Sequence, residues 1–295
     1  MRKIFILFAV FIIISGASSA QFNWPVKTVV FTSQFGESRT DHWHNGVDII
    51  SGNQYELRAP ADGEVIFYRD SVDSPMPDKF GAGNLLVLEH ERNLRTFYYH
   101  LEDGTIIKTK NKVTSEDVIA AIGNSGKSSG PHLHLSLYST VNDRILNPID
   151  YFPGYSDEKK PVIQKILLKG PLSDYVNIMK NKRIRSKRYF RVIVVANDVQ
   201  EGSRLSNAPL GVREIKLFID GKLIKQIQFN FLELKEKKYC LNGDIDMTFE
   251  RFYLDEAYYM DIAGFVPTMG THEFLVAVKD NTGQTAEKSV SVTFY

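Results

Sequence analysis

The sequence predicts a mainly β protein, in which an antiparallel β-sheet core is followed by a β-sandwich of Ig-like type. Three observations favour this fold class. Short alternating or continuous apolar runs recur along the chain, clusters of Gly, Asn and Asp separate them, and helical periodicity is scarce. The chain has 295 residues, and because a typical domain has about 100–200 residues, this length favours two domains.

The first half contains five runs with strand character. They are Lys27–Thr32, Gly63–Tyr68, Asn84–His90, Thr96–Leu101 and His132–Tyr138. Residues 85–90 and 96–101 flank a polar five-residue segment, which is typical of an antiparallel hairpin with a longer loop. Residues 115–121 fit either a short helix or an extended segment.

The second half shows a similar pattern. Its strand-like runs are Phe190–Ala196, Glu214–Ile219, Leu223–Phe229, Phe274–Lys279 and Ser289–Tyr295. Asp220-Gly221 lies between two of these runs and has the composition of a hairpin turn. An irregular, charged stretch near residues 148–161 has the character of a linker, so we predict domains at residues 21–158 and 159–295.

Composition excludes several classes of protein. The 36 Lys and Arg residues balance 35 Asp and Glu residues, which gives no electrostatic reason to bind nucleic acid. A hydrophobic fraction of 43% is close to the globular average and excludes a disordered chain. The single cysteine, Cys240, excludes an internal disulfide and a cysteine-rich zinc site, and we expect it to act as a small hydrophobic residue. Any metal site must therefore use histidine and carboxylate ligands.

Residues 1–20 have the features of a secretory signal peptide. Arg2 and Lys3 precede an apolar run from Ile4 to Ile14, and small residues follow up to Ala20. The run is shorter than the ~20 residues that a membrane-spanning helix needs. We therefore expect cleavage after Ala20, no membrane span in the mature protein, and export to the periplasm, the extracellular space or the cell wall.

Histidines are concentrated in the first half of the chain, where all but one of the seven lie between residues 42 and 134. From Pro131 to Tyr138, polar residues alternate with leucines, so His132 and His134 share one face of a predicted strand. Side chains two residues apart on a strand are about 6.6 Å apart and can reach one site. The glycine-rich loop Gly123–Pro131 allows a tight turn beside this site. It runs into a strand instead of a helix, so it does not match a phosphate-binding loop.

A second element is His44-Asn-Gly-Val-Asp48. In a straight strand its His and Asp would be about 13 Å apart, so the Asn-Gly pair must bend the chain if both contact one metal. Together with His134 they give two imidazoles and one carboxylate, with room for a further ligand, as in a catalytic zinc site. The same ligand set also describes a non-haem iron oxygenase, which the predicted export disfavours.

In these motifs, residues 30–152 resemble the lysostaphin-type (LytM-like) zinc metallopeptidases, which cut peptidoglycan cross-links. The matching motifs are Phe35-Gly36 with Arg39, His44-x3-Asp48, Ala59-Pro-Ala-Asp-Gly63, Tyr99-His100-Leu101, and Gly123-Asn-Ser-Gly126 leading to Gly130-Pro-His132-Leu-His134. Several independent motifs in the same order make this resemblance more specific than either histidine pair alone.

The resemblance implies a zinc metalloendopeptidase that hydrolyses peptide cross-links or stem peptides of bacterial peptidoglycan. It implies that His44, Asp48 and His134 hold Zn2+. It assigns His100 and His132 as the two further site histidines, which we expect to share the tasks of general base and oxyanion donor. We expect the histidines outside these motifs, at positions 42, 90 and 272, to be structural or exposed.

A catalytically silent wall-binding protein, or an activator of another wall hydrolase, is the alternative function. Degenerate members of the family lose ligands, whereas all five site residues are present here. Residues 71–80 are expected to form a loop at the rim of the groove. Partners beyond the peptidoglycan peptide could include another wall or cell-division protein.

The second half has no evident catalytic cluster, and we expect it to position the enzyme on the wall or on a partner. The basic stretch Lys180–Arg191 is either a solvated face or a contact for an anionic wall polymer or membrane surface. We expect residues 21–158 to fold and bind zinc without this half.

Overall fold

The computed structural model describes residues 22–74, 78–171, 175–185, 188–200, 209–254 and 258–295. The predicted signal peptide lies outside these residues, as do positions 75–77 of the rim loop and positions 186–187 of the basic stretch. Antiparallel strands dominate the described chain, which confirms the mainly β fold class. No helix within the described ranges has the length and apolar character needed to cross a membrane.

The structure describes ten strands in the first half of the chain. They are β1 (Val30–Ser33), β2 (Val47–Ile50), β3 (Glu56–Arg58), β4 (Gly63–Arg69), β5 (Asn84–His90), β6 (Leu94–Leu101), β7 (Lys112–Val113), β8 (Val118–Ala121), β9 (Leu133–Ser139) and β10 (Arg144–Leu146). Short 3-10 helices lie at Ser71–Asp73, Glu91–Asn93 and Pro148–Asp150. The ambiguous stretch at residues 115–121 is therefore not a helix, because residues 115–116 form a turn and β8 occupies its second part.

The second half adds eleven strands and one helical turn among the described residues. They are β11 (Val162–Lys169), β12 (Tyr175–Asn177), β13 (Arg183–Ile184), β14 (Phe190–Asn197), β15 (Glu214–Ile219), β16 (Lys222–Gln228), β17 (Phe231–Lys235), β18 (Lys238–Leu241), α1 (Phe249–Phe252), β19 (Tyr259–Phe265), β20 (Gly270–Lys279) and β21 (Thr285–Phe294).

One large sheet organises the first half. Its order is β18-β17-β10-β9-β6-β5-β4-β7, and β2 joins it by pairing with β9. Strands β5 and β6 form the predicted antiparallel hairpin. The alternation in β9 buries Leu133, Leu135 and Leu137 completely in the core under the sheet. His134, between them in sequence, therefore lies on the opposite face.

The second half contains two sheets that share one hydrophobic core. The first has the order β12-β11-β14-β19, and the second has the order β13-β21-β20-β15-β16. The core joins Val192 and Val194 of the first sheet to Val276 and Val292 of the second. The two sheets thus pack as the layers of a sandwich, while the Ig-like type stays a prediction.

Contacts between the two halves are extensive. The hairpin of β17 and β18 extends the first-half sheet, with Leu146 of β10 opposite Phe231 of β17. In the other direction, Phe35 and Trp43 of the first half are buried in the core of the sandwich. The domain limits stay a prediction, but these contacts count against the expectation that residues 21–158 fold alone.

Trp43 provides a test of this mutual dependence. Trp43→Ala is expected to lower the free energy of unfolding by about 3–5 kcal/mol, because a large buried aromatic side chain is removed. The indole is 3% exposed and stacks on Phe252 with 5.4 Å between ring centroids. Chemical denaturation measures the loss, and Val141→Ala, at a position 69% exposed, is the control with an expected change within about 0.5 kcal/mol. Equal stability of the two variants would show that the halves do not depend on this contact.

Candidate metal centre

The pairing of β2 with β9 brings a carboxylate and an imidazole together. Asp48 lies directly opposite His134 in this antiparallel pair, and His44 precedes β2 by a short bend. Asp48 Oδ1 is 3.1 Å from His44 Nε2 and 2.8 Å from His134 Nδ1. The two nitrogens are 3.1 Å apart. Among the described residues, these three form the one group of potential ligands whose donor atoms all lie within 4.8 Å.

The Asn45-Gly46 bend lets His44 approach the strand that carries His134. A Cβ atom at Gly46 would lie 2.4 Å from the Leu135 carbonyl oxygen and 2.8 Å from His134 Nε2. These distances are too short for any side chain, so glycine is required by close packing. The bend predicted from the sequence is therefore present, and its glycine sets the separation of the two chains.

The hydrogen bonds of His44 fix which of its nitrogens faces the centre. Its Nδ1 lies 2.7 Å from the Gln34 carbonyl oxygen, and because a carbonyl only accepts, Nδ1 carries the hydrogen. In the neutral ring, Nε2 is then a lone-pair acceptor directed at Asp48. Two acceptors at 3.1 Å repel each other unless a cation lies between them. The donor set therefore fits a bound metal ion.

Further contacts orient the other two side chains. The Ser136 hydroxyl lies 2.9 Å from His134 Nε2, on the side of the ring away from Asp48. The Arg39 guanidinium donates to Asp48 Oδ2 and leaves Oδ1 facing the histidines. Contacts of this kind hold metal ligands in one orientation. The sequence motif includes Arg39, but only the structure shows its contact with the carboxylate.

The electrostatics favour the protonation states that metal binding needs. Burial opposes ionisation of Asp48, but the adjacent imidazoles of His44 and His134 outweigh it and hold the pKa of Asp48 well below its usual range. Burial lowers the pKa of His134 to about 4, although the neighbouring Asp48 carboxylate opposes this. At neutral pH the carboxylate is charged and the His134 ring is neutral, as ligands must be.

His100 and His132 lie beside this group. Their ring centroids are 4.8 Å apart, and that of His100 is 6.2 Å from the His134 ring. His132 Nε2 is 3.8 Å from Asp48 Oδ1. The His132 Nδ1 is 2.8 Å from the Gly130 carbonyl oxygen, and the His100 Nδ1 is 2.8 Å from that of Ser125. Both rings thus carry the hydrogen on Nδ1, which leaves Nε2 as the free lone-pair nitrogen when neutral.

A backbone irregularity aims His100 at the site. The register of β5 and β6 shifts here, because Asn84 pairs with Leu101 but Leu86 pairs with Tyr98. Strand β6 therefore has one extra residue in this stretch. His100 has a φ of 61°, and its N–H donates to the Ala82 carbonyl oxygen at 3.0 Å. A bulge of this kind redirects a side chain, and a positive φ at a non-glycine residue is held only by surrounding contacts. The bulge is therefore what brings His100 to the centre.

The glycine-rich loop supports both of these histidines. Its Ser125 and Gly130 carbonyls are their hydrogen-bond acceptors. Gly126 has a φ of 73°, and a Cβ there would lie 2.3 Å from the Gly83 backbone nitrogen. The loop is thus packed tightly against the segment that binds the His100 backbone, and it serves to orient imidazoles.

The remaining histidines lie outside the centre. His42 is exposed and contacts its neighbour Asp41. His90 contacts the Asp62 carbonyl oxygen at 2.9 Å within the core of the first half. His272 bonds to Asp220 at 2.7 Å in the sandwich. The structure thus brings together the five residues predicted from the sequence and leaves these three apart.

The antiparallel sheet of the first half thus carries two histidines and one carboxylate in an arrangement that fits one metal ion. Residues 42–148 match the model of Peptidase family M23, so the first half of the chain carries an M23 peptidase domain. This match confirms the resemblance found in the motifs. A second family model, which has no functional description, matches residues 160–295.

Two curated relatives and one solved structure are similar to part of this chain. An uncharacterized metalloprotease of Haemophilus influenzae is 35% identical over 114 residues, which are 38% of this chain and 22% of the relative. The peptidoglycan DD-endopeptidase ShyB of Vibrio cholerae is 35% identical over 94 residues, 32% of this chain and 20% of the relative. A zinc-containing peptidase from Vibrio cholerae is 32% identical, with a TM-score of 0.34 over 40% of this chain and 37% of that one. The aligned part thus spans about a fifth of the two curated relatives.

Gly46 provides a test of the packing at the centre. Gly46→Ala is expected to lower the free energy of unfolding by about 1–3 kcal/mol, because the added methyl group overlaps backbone and imidazole atoms. Gly130→Ala is the matched control, since a Cβ there meets no atom within 4 Å. Denaturant titration compares the two. Equal stability would show that β2 and β9 can separate at no cost.

Proposed function

We propose that the protein is a zinc metalloendopeptidase that hydrolyses peptide cross-links or stem peptides of bacterial peptidoglycan. The observation that carries the proposal is the convergence of acceptor atoms from His44, Asp48 and His134, with the imidazoles of His100 and His132 beside them. The M23 peptidase domain supports the same activity.

Zinc is the metal that this donor set fits best within the proposal. Two imidazole nitrogens and one carboxylate oxygen leave a fourth position for water or substrate, as catalytic zinc sites do. His44 would bind through Nε2 and His134 through Nδ1, because these are the nitrogens that face Asp48. Zinc bound there would polarise a scissile carbonyl and lower the pKa of a water molecule to about 7.

The two further histidines supply the proton chemistry. Because carbonyl oxygens hold the hydrogen on each Nδ1, the neutral rings of His100 and His132 can accept a proton at Nε2. The ring that accepts the proton of the attacking water becomes an imidazolium, which can then donate it to the leaving amine. Once charged, a ring can also stabilise negative charge on the carbonyl oxygen. Because both side chains have the same hydrogen-bond pattern, we assign these tasks to the pair.

The substrate class and the location are inferred together. The name of the Vibrio cholerae relative, a peptidoglycan DD-endopeptidase, supports a peptidoglycan peptide as substrate and the cell envelope as location. A signal peptide at residues 1–20 would deliver the enzyme there. Contact of the second half with the wall, or with another wall or cell-division protein, is part of the same proposal.

Metal content tests the ligand assignment. We expect the full mature chain to bind about one zinc ion, and His44→Ala, Asp48→Ala and His134→Ala each to abolish this binding, because each removes one of three protein ligands. Elemental analysis after dialysis measures the stoichiometry. His42→Ala is the control, since that histidine is exposed and outside the centre. Iron in place of zinc, or a full equivalent of zinc in the His134 variant, would contradict the proposal.

Catalysis is tested separately from binding. His100→Ala and His132→Ala are expected to retain zinc and to slow hydrolysis by about 10²-fold or more, the scale for loss of a general base or an oxyanion donor. Digestion of purified sacculi, followed by mass spectrometry of the newly formed amines, measures the rate and identifies the bond. Zinc-loaded protein that releases no amine from sacculi would favour the silent wall-binding alternative. If His132→Ala released zinc as readily as His134→Ala, the division of roles on this strand would be wrong.

A further inference from the structure

We propose that the second half of the chain completes the metal centre by holding the segment that carries His44, and that Glu37 is the positioning residue through which it acts. We call residues 33–44 the ligand loop. The proposal rests on the proposed function in one respect, namely that His44 is a metal ligand.

Glu37 connects the second half to the imidazole of His44. Its Oε1 accepts hydrogen bonds from the backbone N–H groups of Gln34 at 2.6 Å and of Gly211, in the second half, at 2.7 Å. Its Oε2 accepts one from the Ser33 hydroxyl at 2.6 Å. The Ser33 oxygen in turn lies 3.1 Å from His44 Nδ1. One side chain thus separates the Glu37 carboxylate from the ring.

The direction of these bonds has a consequence for the ring. His44 Nδ1 carries the hydrogen, and the Ser33 hydroxyl donates its own hydrogen to Glu37, so the Ser33 oxygen is free to accept from Nδ1. The Gln34 carbonyl accepts from the same Nδ1. Both acceptors belong to the ligand loop, and Glu37 binds the Ser33 side chain and the Gln34 backbone. Loss of the carboxylate would loosen both contacts that orient His44.

Other second-half groups hold the loop along its length. The Tyr253 hydroxyl donates to the Gly36 carbonyl oxygen at 2.9 Å, and this bond is buried. The Asn281 amide donates to Gln34 Oε1 at 2.8 Å. At the far end, the Trp43 indole N–H donates to the Tyr239 carbonyl oxygen at 3.0 Å. Two of these bonds hold the beginning of the loop against the second half, and the third holds its end.

Packing limits the loop in the same way. Gly36 has a φ of 82°, and a Cβ there would lie 2.4 Å from the Phe229 ring. Glu37 is 5% exposed, and a buried carboxylate is tolerated only when it is hydrogen-bonded. Its carboxylate accepts two hydrogen bonds from donors in the loop and one from the Gly211 N–H group. The buried conformation of the loop therefore depends on the second half as well as on itself.

The ligand loop also acts on a second ligand. Arg39 lies within it and donates to Asp48 Oδ2. Movement of the loop would therefore change the orientation of His44 and the charge partner of Asp48 together. Contacts behind metal ligands typically contribute about 10–100-fold to metal affinity or activity. We expect an effect of this size from the second half.

The test uses the full mature chain and measures zinc affinity by competition with a chromophoric chelator. Glu37→Gln keeps the shape of the side chain, but its amide has a single acceptor oxygen, so either the Ser33 hydroxyl or the N–H groups of Gln34 and Gly211 lose their acceptor. Zinc affinity is expected to fall about 10–100-fold. Tyr253→Phe removes the bond to Gly36 without changing the core, and a smaller loss of several-fold is expected. The visible spectrum of the cobalt-substituted protein should change in both variants, because it reports ligand geometry.

Two controls separate positioning from stability and from the proposed function. Val292→Ala, in the fully buried sandwich core, should lower stability without changing zinc affinity or the cobalt spectrum. His44→Ala should abolish binding. If His44→Ala kept its zinc, the ligand assignment itself would fail.

Folding of the variants does not limit the test. If Glu37→Gln does not fold, Ser33→Ala breaks the same connection with a small, neutral change, and a drop in zinc affinity of about 10-fold would support the proposal. If His44→Ala loses zinc while every folded variant among Glu37→Gln, Ser33→Ala and Tyr253→Phe keeps the parent affinity and cobalt spectrum, the proposal is overturned.

Discussion

The convergence of three acceptor atoms, from His44, Asp48 and His134, is the constraint on which the rest of the structure depends. Such atoms repel each other at about 3 Å unless a cation is bound, so the protein must hold them together by other contacts. The register of β2 and β9 provides one of these, and the carbonyl behind His44 and the arginine beside Asp48 provide others. The carbonyl and the arginine both belong to the ligand loop, whereas the register belongs to the sheet.

Local sequence patterns predict the parts of the site that depend on local geometry. The alternation around His132 and His134 is enough to place both on one face, because the side-chain period of a strand is two. The Asn45-Gly46 pair likewise predicts the bend before Asp48. The hairpin of β5 and β6 and the mainly β class follow from the same kind of evidence.

What the sequence could not predict depends on contacts between distant segments. The bulge that aims His100 depends on hydrogen bonds to the carbonyls of Ala82 and Ser125. The residues next to His100 in the sequence do not indicate that its φ is positive. The role of Glu37 depends on Gly211, which is 174 residues away along the chain. The motif Phe35-Gly36 is visible in the sequence, but its burial in the second-half core is not. Sequence analysis therefore names the residues of the centre and misses most of those that hold them.

The hairpin of β17 and β18 also affects solubility. Without it, β10 would be the last strand of the large sheet on that side and would expose a row of unpaired backbone groups, which is a template for association with other chains. With the hairpin present, the edge strand on that side is β18, a strand of four residues that begins with Lys238. Short, charged outer strands resist such association. The second half therefore protects the peptidase sheet from edge-to-edge aggregation.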